Sequence, residues 1–346
     1  MEGLELVWGW QPAAYLFLGG LGAGSFATAA VLFLHDREKG RRALNMAMWA
    51  ALGCLGVGLL FLVTELVFPL RGMLLWQSFS HFTSWMTLGA WVAFAAMVVF
   101  FACAALTCPQ VQKLVDGRRS AKTQEGNRAA TVDQLKGGRK VAKSVPEQVG
   151  RPLYQSKAVT ALMAVGLVLA LGVAAYTGML LMSAPGVPLW NSPFLPCLFT
   201  VSALDTGVAL VELLVMATRE PVGKKVHRGL EVAVVALVLL EVIALVALLS
   251  SALNGSGAAG SASAAAATLL LQGGFAPWFW LVFVGLGLVF PLVAAITGLA
   301  ASNAFTGKIT VVGATGALAG GCALRFLVVF AGMHADYMAY AVALLN

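Results

Sequence analysis

The sequence predicts an all-α integral membrane protein whose eight transmembrane helices form a bundle, with the N- and C-termini both on the outer side. Three observations lead there. Of the 346 residues, 60% are hydrophobic and only 11% are charged, and the mean hydropathy of +0.87 lies outside the range of soluble domains. Eight apolar stretches reach the ~20 residues needed to cross the hydrocarbon. The basic residues, finally, are confined to alternate loops.

Taken in order, the spans are 10–34, 44–68, 85–106, 158–183, 196–218, 229–253, 276–299 and 310–333. The first is too long for the apolar region of a signal peptide and has no basic residue before it, so it is expected to be retained. The loop after it holds Arg37, Lys39, Arg41 and Arg42, and the segment after the third span holds eleven Lys and Arg. Arg219, Lys224, Lys225 and Arg228 follow the fifth span, and Lys308 follows the seventh. These loops share one side and carry 20 of the 22 basic residues. The positive-inside bias makes that side cytoplasmic. The net charge of +7 is therefore a topology signal, and no nucleic-acid partner is expected.

Composition divides the protein into residues 1–107, carrying spans one to three, a segment 108–157, and residues 158–346, carrying spans four to eight. The segment 108–157 is basic, glycine-containing and without apolar period, and reads as a flexible cytoplasmic loop that meets anionic membrane lipid, the other reading being a docking site for a cytoplasmic partner. The small-residue stretch 254–267 reads as a connection. The proline-rich turn 183–196 with Trp190 reads as a rigid interfacial turn with an aromatic anchor, or equally as a wall where a partner docks. The five cysteines form no CxxC pair, so no disulfide framework, iron–sulfur cluster or metal site is expected in this chain. None of the four histidines lies deep within a span, so no haem is expected either.

Ionisable groups inside a bilayer are costly and mark a function or a pairing. With a rise of about 1.5 Å per residue, Tyr15, Glu65, Tyr176 and Arg325 fall in the outer half and Asp205 near the middle of the fifth span. One reading is structural, with Arg325 paired to Asp205 or Glu65 only to neutralise the bundle interior. The other is a polar pocket for a quinone head-group, whose carbonyls need hydrogen-bond donors and whose redox chemistry moves two protons. Asp205 and Glu212 are seven apart and share a helix face, placed to carry protons from the cytoplasm toward that pocket. Glu241 lies mid-span, with relay and structural pairing both open for it and for Glu212. Glu231, beside the basic loop, is expected to pair with Arg228 or Lys224.

Several segments together resemble the NrfD/PsrC family of membrane subunits. They are the block 10–24 around Tyr15, Leu62 to Arg71 with Glu65, Ser84 to Trp91, Tyr176 to Leu181, the run 187–207 ending in Asp205-Thr-Gly207, and Gly320 to Val329 with Arg325. The resemblance covers the helical core. It implies an anchor subunit of a molybdopterin or related iron–sulfur oxidoreductase in the inner membrane of a bacterium or archaeon. A ferredoxin-like iron–sulfur subunit would dock on the outer face, with the molybdopterin catalytic subunit holding the reduction site. The cofactor implied is a quinone, with menaquinone the expected type. By position, Tyr15 matches the first-helix site where related proteins place a quinone-contacting polar residue, Tyr176 the tyrosine of the fourth-helix block and Glu65 an acidic position near the end of the second helix. Tyr15, Glu65, Tyr176 and Arg325 are thus expected to shape the quinone site, and Asp205, Glu212 and Glu241 to move protons. The competing reading is a proton-coupled secondary transporter, for which intramembrane acids and an arginine also suit, but no repeat relates residues 1–180 to 181–346. A pure tether has no use for buried charge.

Overall fold

In the computed structural model, which describes residues 9–37, 39–64, 85–115, 117, 153–218, 223–300 and 304–334, every long element among the described residues is a helix. This is the form in which a polypeptide crosses hydrocarbon with its backbone polar groups satisfied. Among the described residues, eight helices are long and apolar enough to span a membrane. They are α1 (Trp10–His35), α2 (Arg41–Thr64), α3 (Trp85–Thr107), α4 (Lys157–Met182), α5 (Phe194–Thr218), α6 (Lys224–Leu253), α8 (Trp278–Ala300) and α9 (Ala304–Phe330). A shorter helix, α7 (Gly257–Leu271), intervenes. Successive spans alternate in direction, so one end of the bundle, the basic end, gathers the Arg- and Lys-bearing connections. The other is called the far end below.

The protein folds around α1. Its apolar window is 72% buried, against 28% for α2, and it touches α2, α4, α5 and α9. Lipid tails are as apolar as leucine, so packing inside a bilayer relies on close backbone approach at small residues. The glycines of α1 supply it. A Cβ on Gly24 would overlap the Ala203 carbonyl of α5, and one on Gly207 would overlap the Gly24 backbone. Gly20, one turn away, faces Ala203 as well, so the GxxxG spacing marks the α1–α5 crossing. A second such crossing brings Gly287 of α8 against Gly320 of α9. The opposite faces of the outer helices expose large apolar side chains such as Phe94 and Phe101 on α3, Ile243 and Val246 on α6, and Leu281 and Ile296 on α8.

Several features depart from the sequence reading. Helix α6 begins at Lys224, five residues ahead of the apolar stretch, because basic side chains at a helix end reach water while their stems stay on the helix. The segment read as a connection from 254 to 267 is mostly helical, as its run of alanines favours. The first half of α8, Trp278–Val289, winds as a π-helix. Trp190 is no interfacial anchor: it is fully buried, with Nε1 donating to the Val328 carbonyl at 2.8 Å, and with Val187 and Leu189 it plugs the far end of the bundle. At the basic end, Ser156 caps α4 by accepting from the Val159 amide. There Arg37 donates to the Gln155 carbonyl and Arg41 stacks over Tyr154. Residues 118–152 of the basic segment, together with Glu65, Arg71 and His81, lie outside the described residues.

Candidate functional site

Helix α5 places Ser202, Asp205 and Glu212 on one face through spacings of three and seven, and that face meets α6 and α9. Arg325 of α9 is fully buried there. Its Nη1 donates to Ser202 Oγ and to the Gly321 carbonyl at 2.9 Å, its Nη2 donates to the Phe199 carbonyl at 3.2 Å, and the guanidinium lies 5.2 Å from the centre of the Phe199 ring. No carboxylate among the described residues forms a direct ion pair with it, so the direct Arg325–Asp205 pair allowed by the sequence is absent. What links the arginine to an acid is Ser202. Its oxygen accepts from the guanidinium, and the buried Glu241 carboxylate of α6 lies within reach of both Ser202 and Arg325.

From Glu241 the acids continue toward the basic end. Asp205, also buried, lies within electrostatic reach of Glu241, Glu212 and Arg325, and Glu212 within reach of Glu231. Asp205 Oδ1, Glu212 Oε1 and both oxygens of Glu231 have no hydrogen-bond partner among the described residues. They open onto a cavity between α5, α6, α8 and α9 that Thr310 also lines. Its volume open to the centre of a water molecule is about 10 Å³, space for on the order of one ordered water. Unpaired buried carboxylate oxygens are costly, and the cavity leaves room for a water to bond to them. Glu231 does not meet the exposed Arg228. It lies beside His227, one turn earlier on its own helix, the partner that an i, i+4 spacing presents. The Lys224 side chain lies outside the described residues.

The two tyrosines form a separate group. Tyr15 of α1 is buried and lies beside Tyr176 of α4, which is partly buried. The Tyr176 ring occupies the space in front of Gly89 of α3, where a Cβ would fall inside the ring. Gly58 of α2 packs closely on Tyr15, where a Cβ would lie 3.4 Å from Cδ2. The structure therefore brings Tyr15 to Tyr176, and Arg325 to Asp205 and Glu241, but sets the two groups on adjacent faces of α1. A Cβ on Gly20 would lie 3.3 Å from Arg325 Nη2, while one on Gly19 would lie 3.8 Å from Thr177 of α4. Ser202, His227, Gly89 and Gly298 were missed from the sequence. Only Ser202 carried a signal, three residues before Asp205 on the polar face. Among the described residues, no group of three or more His, Cys, Asp or Glu is arranged to hold a metal ion.

The family described as "Polysulphide reductase, NrfD" matches residues 2–335. The protein belongs to the NrfD family. Among NrfD-family members, the C subunit of polysulfide reductase from Wolinella succinogenes is 31% identical over 300 residues, covering 83% of this sequence and 82% of that protein. Protein NrfD of Escherichia coli is 32% identical over 301 residues, covering 84% of each. The protein is thus a multi-pass membrane protein of the NrfD family, and the match extends through all eight spans.

Proposed function

We propose that this NrfD-family protein is the quinone-reactive membrane subunit of a respiratory oxidoreductase, lying in a bacterial inner membrane with its basic end in the cytoplasm. It exchanges electrons with an iron–sulfur partner subunit at the far end, and the molybdopterin subunit beyond that partner carries the terminal reaction. The name polysulfide reductase, borne by a relative matched over most of its length, supports membership in such a complex. The single observation that carries the reading is the buried polar cluster in which Arg325 donates to Ser202 beside Glu241. A tether has no need of it, and a purely neutralising arginine would meet a carboxylate directly.

The donor set fits a quinone head-group. Two phenols sit together near the far end, and a tyrosine hydroxyl both donates and accepts. A quinone bound there supplies two-electron, two-proton chemistry. Tyr15 and Tyr176 hold and orient a carbonyl or hydroxyl through their O–H groups, with the Tyr176 ring fixed against Gly89. Across the thin glycine wall of α1, Arg325 fixes a positive field and orients Ser202. Glu241, Asp205 and Glu212 then hold and pass the protons, by way of the cavity water, between the site and the basic end. The test is single-turnover oxidation of a naphthoquinol analogue by the purified complex. Wild type should reduce the partner's clusters, and Tyr15→Phe combined with Tyr176→Phe should abolish this with the subunits still assembled. Full electron transfer in that double variant would exclude the tyrosine site.

A further inference from the structure

The acidic face continues past Glu212 to a pair that no role has yet claimed. Glu231 sits two turns into α6 and is 2% exposed, whereas His227, one turn nearer the basic end, has 45% of its side chain in solvent. His227 Nε2 lies 3.3 Å from Glu231 Oε1, yet neither carboxylate oxygen has a hydrogen-bond partner among the described residues. The carboxylate occupies a notch in α8, since a Cβ on Gly298 would overlap it. It also lines the water-sized cavity together with Asp205 and Glu212. From α5 the ionisable groups at this cavity are Asp205 and Glu212; α8 contributes only apolar residues and the Gly298 notch, and α9 contributes Thr310.

We propose that His227 and Glu231 are the mouth of the acid column, the place where protons cross between bulk water at the basic end and the buried carboxylates. The inference rests on the proton role given above to Asp205, Glu212 and Glu241. Three features of the geometry distinguish a mouth from a helix-end ion pair. The pair joins an exposed group to a covered one, so it bridges the boundary between water and interior. The covered carboxylate is left with open acceptor sites that face a space of water size, where an ion pair serving stability would have its oxygens engaged. Asp205 and Glu212, seven residues and about 10 Å of rise apart along α5, line the same cavity as Glu231, which offers a water an intermediate stop between them. Imidazole suits the outer position because one ring nitrogen accepts a proton from water while the other releases one toward the carboxylate. The step moves a proton from a water at the basic face to His227, then to Glu231, then through cavity water to Glu212 and Asp205. The same path serves the reverse direction, and no bond other than those to hydrogen changes.

The experiment uses the whole complex reconstituted in vesicles, with a pH dye confined to the basic face and a naphthoquinol analogue as the electron source. Electron transfer to the partner's clusters and proton change at the basic face are recorded in the same single turnover. His227→Ala should slow the proton signal by up to about a hundredfold, and added imidazole should restore it. Glu231→Gln, of equal size, should slow it about a hundredfold, with imidazole giving no recovery. A merely structural pair would not respond to imidazole. Unchanged proton rates in both variants, or a His227→Ala defect that imidazole leaves in place, would overturn the proposal. Wild-type complex that transfers electrons with no proton change at the basic face would overturn it alone. Wild-type complex that takes no electrons from the quinol would overturn the quinone reading and this inference together.

Discussion

Alanine at position 325 removes a guanidinium that makes three hydrogen bonds, to Ser202 Oγ and to the carbonyls of Gly321 and Phe199. A hydrogen bond to a charged group contributes about 1.5–3 kcal/mol. The two carbonyls belong to helical turns and keep a backbone partner, so the sum is discounted to about 3–5 kcal/mol, the usual cost of deleting one member of a buried polar cluster. Glu241 and Asp205, both buried, lose the only guanidinium in their vicinity among the described residues. The variant is expected to assemble with a lower Tm and to lose quinol-linked electron transfer about 10²- to 10³-fold, the effect of deleting a preorganised electrostatic group. Arg325→Lys keeps the charge but reaches fewer of the three acceptors, and should recover part of the loss. Ser202→Ala keeps the guanidinium and cuts the link to Glu241. It should cost only about 1 kcal/mol of stability yet slow the proton-coupled step about tenfold. Stopped-flow single turnover with a naphthoquinol analogue reads all three. Arg325→Ala turning over at the wild-type rate in an assembled complex would refute the reasoning.

Three further outcomes follow from particular contacts. Gly207→Val places a branched side chain against the Gly24 backbone; overpacking of that kind costs about 1–3 kcal/mol or more, so thermal denaturation in detergent should show a lower Tm and a fraction of the protein should fail to assemble. Gly89→Ala displaces the Tyr176 ring and should weaken quinone-analogue binding by roughly the same factor as Tyr176→Phe, about fivefold for one neutral hydrogen bond; binding titration checks both, and unequal effects would separate ring position from the hydroxyl. For orientation, cysteines introduced at Lys113 and Gly186 should react with membrane-impermeant reagents from the cytoplasmic and the outer side respectively; the reverse pattern would invert the topology.

The number of spans was legible because bilayer thickness sets the length of apolar sequence each crossing needs. The GxxxG spacing in α1 likewise pointed to the crossing that Gly24 and Gly207 make. The acid face of α5 was readable from the seven-residue spacing of Asp205 and Glu212. Less legible was which face of α1 each group occupies: Tyr15 and Arg325 share a depth, but depth says nothing of rotation, and the structure separates them at Gly19 and Gly20. Trp190 misled because a tryptophan near a membrane surface reads as an anchor, whereas the fold of 183–192 turns it inward to Val328. Glu231 was assigned a basic neighbour from loop composition. The helix begins early enough to make His227 its i, i+4 partner instead.

The measurement that bears most directly on the quinone-subunit reading is purification of the intact complex in mild detergent with extraction and identification of bound quinone, assay of iron and molybdenum, and a haem spectrum. The predicted result is co-purifying iron–sulfur and molybdenum subunits, bound quinone that is lost in the Tyr15→Phe, Tyr176→Phe double variant, and no haem. A protein that purifies alone, without quinone, would contradict that reading and favour a proton-coupled transporter.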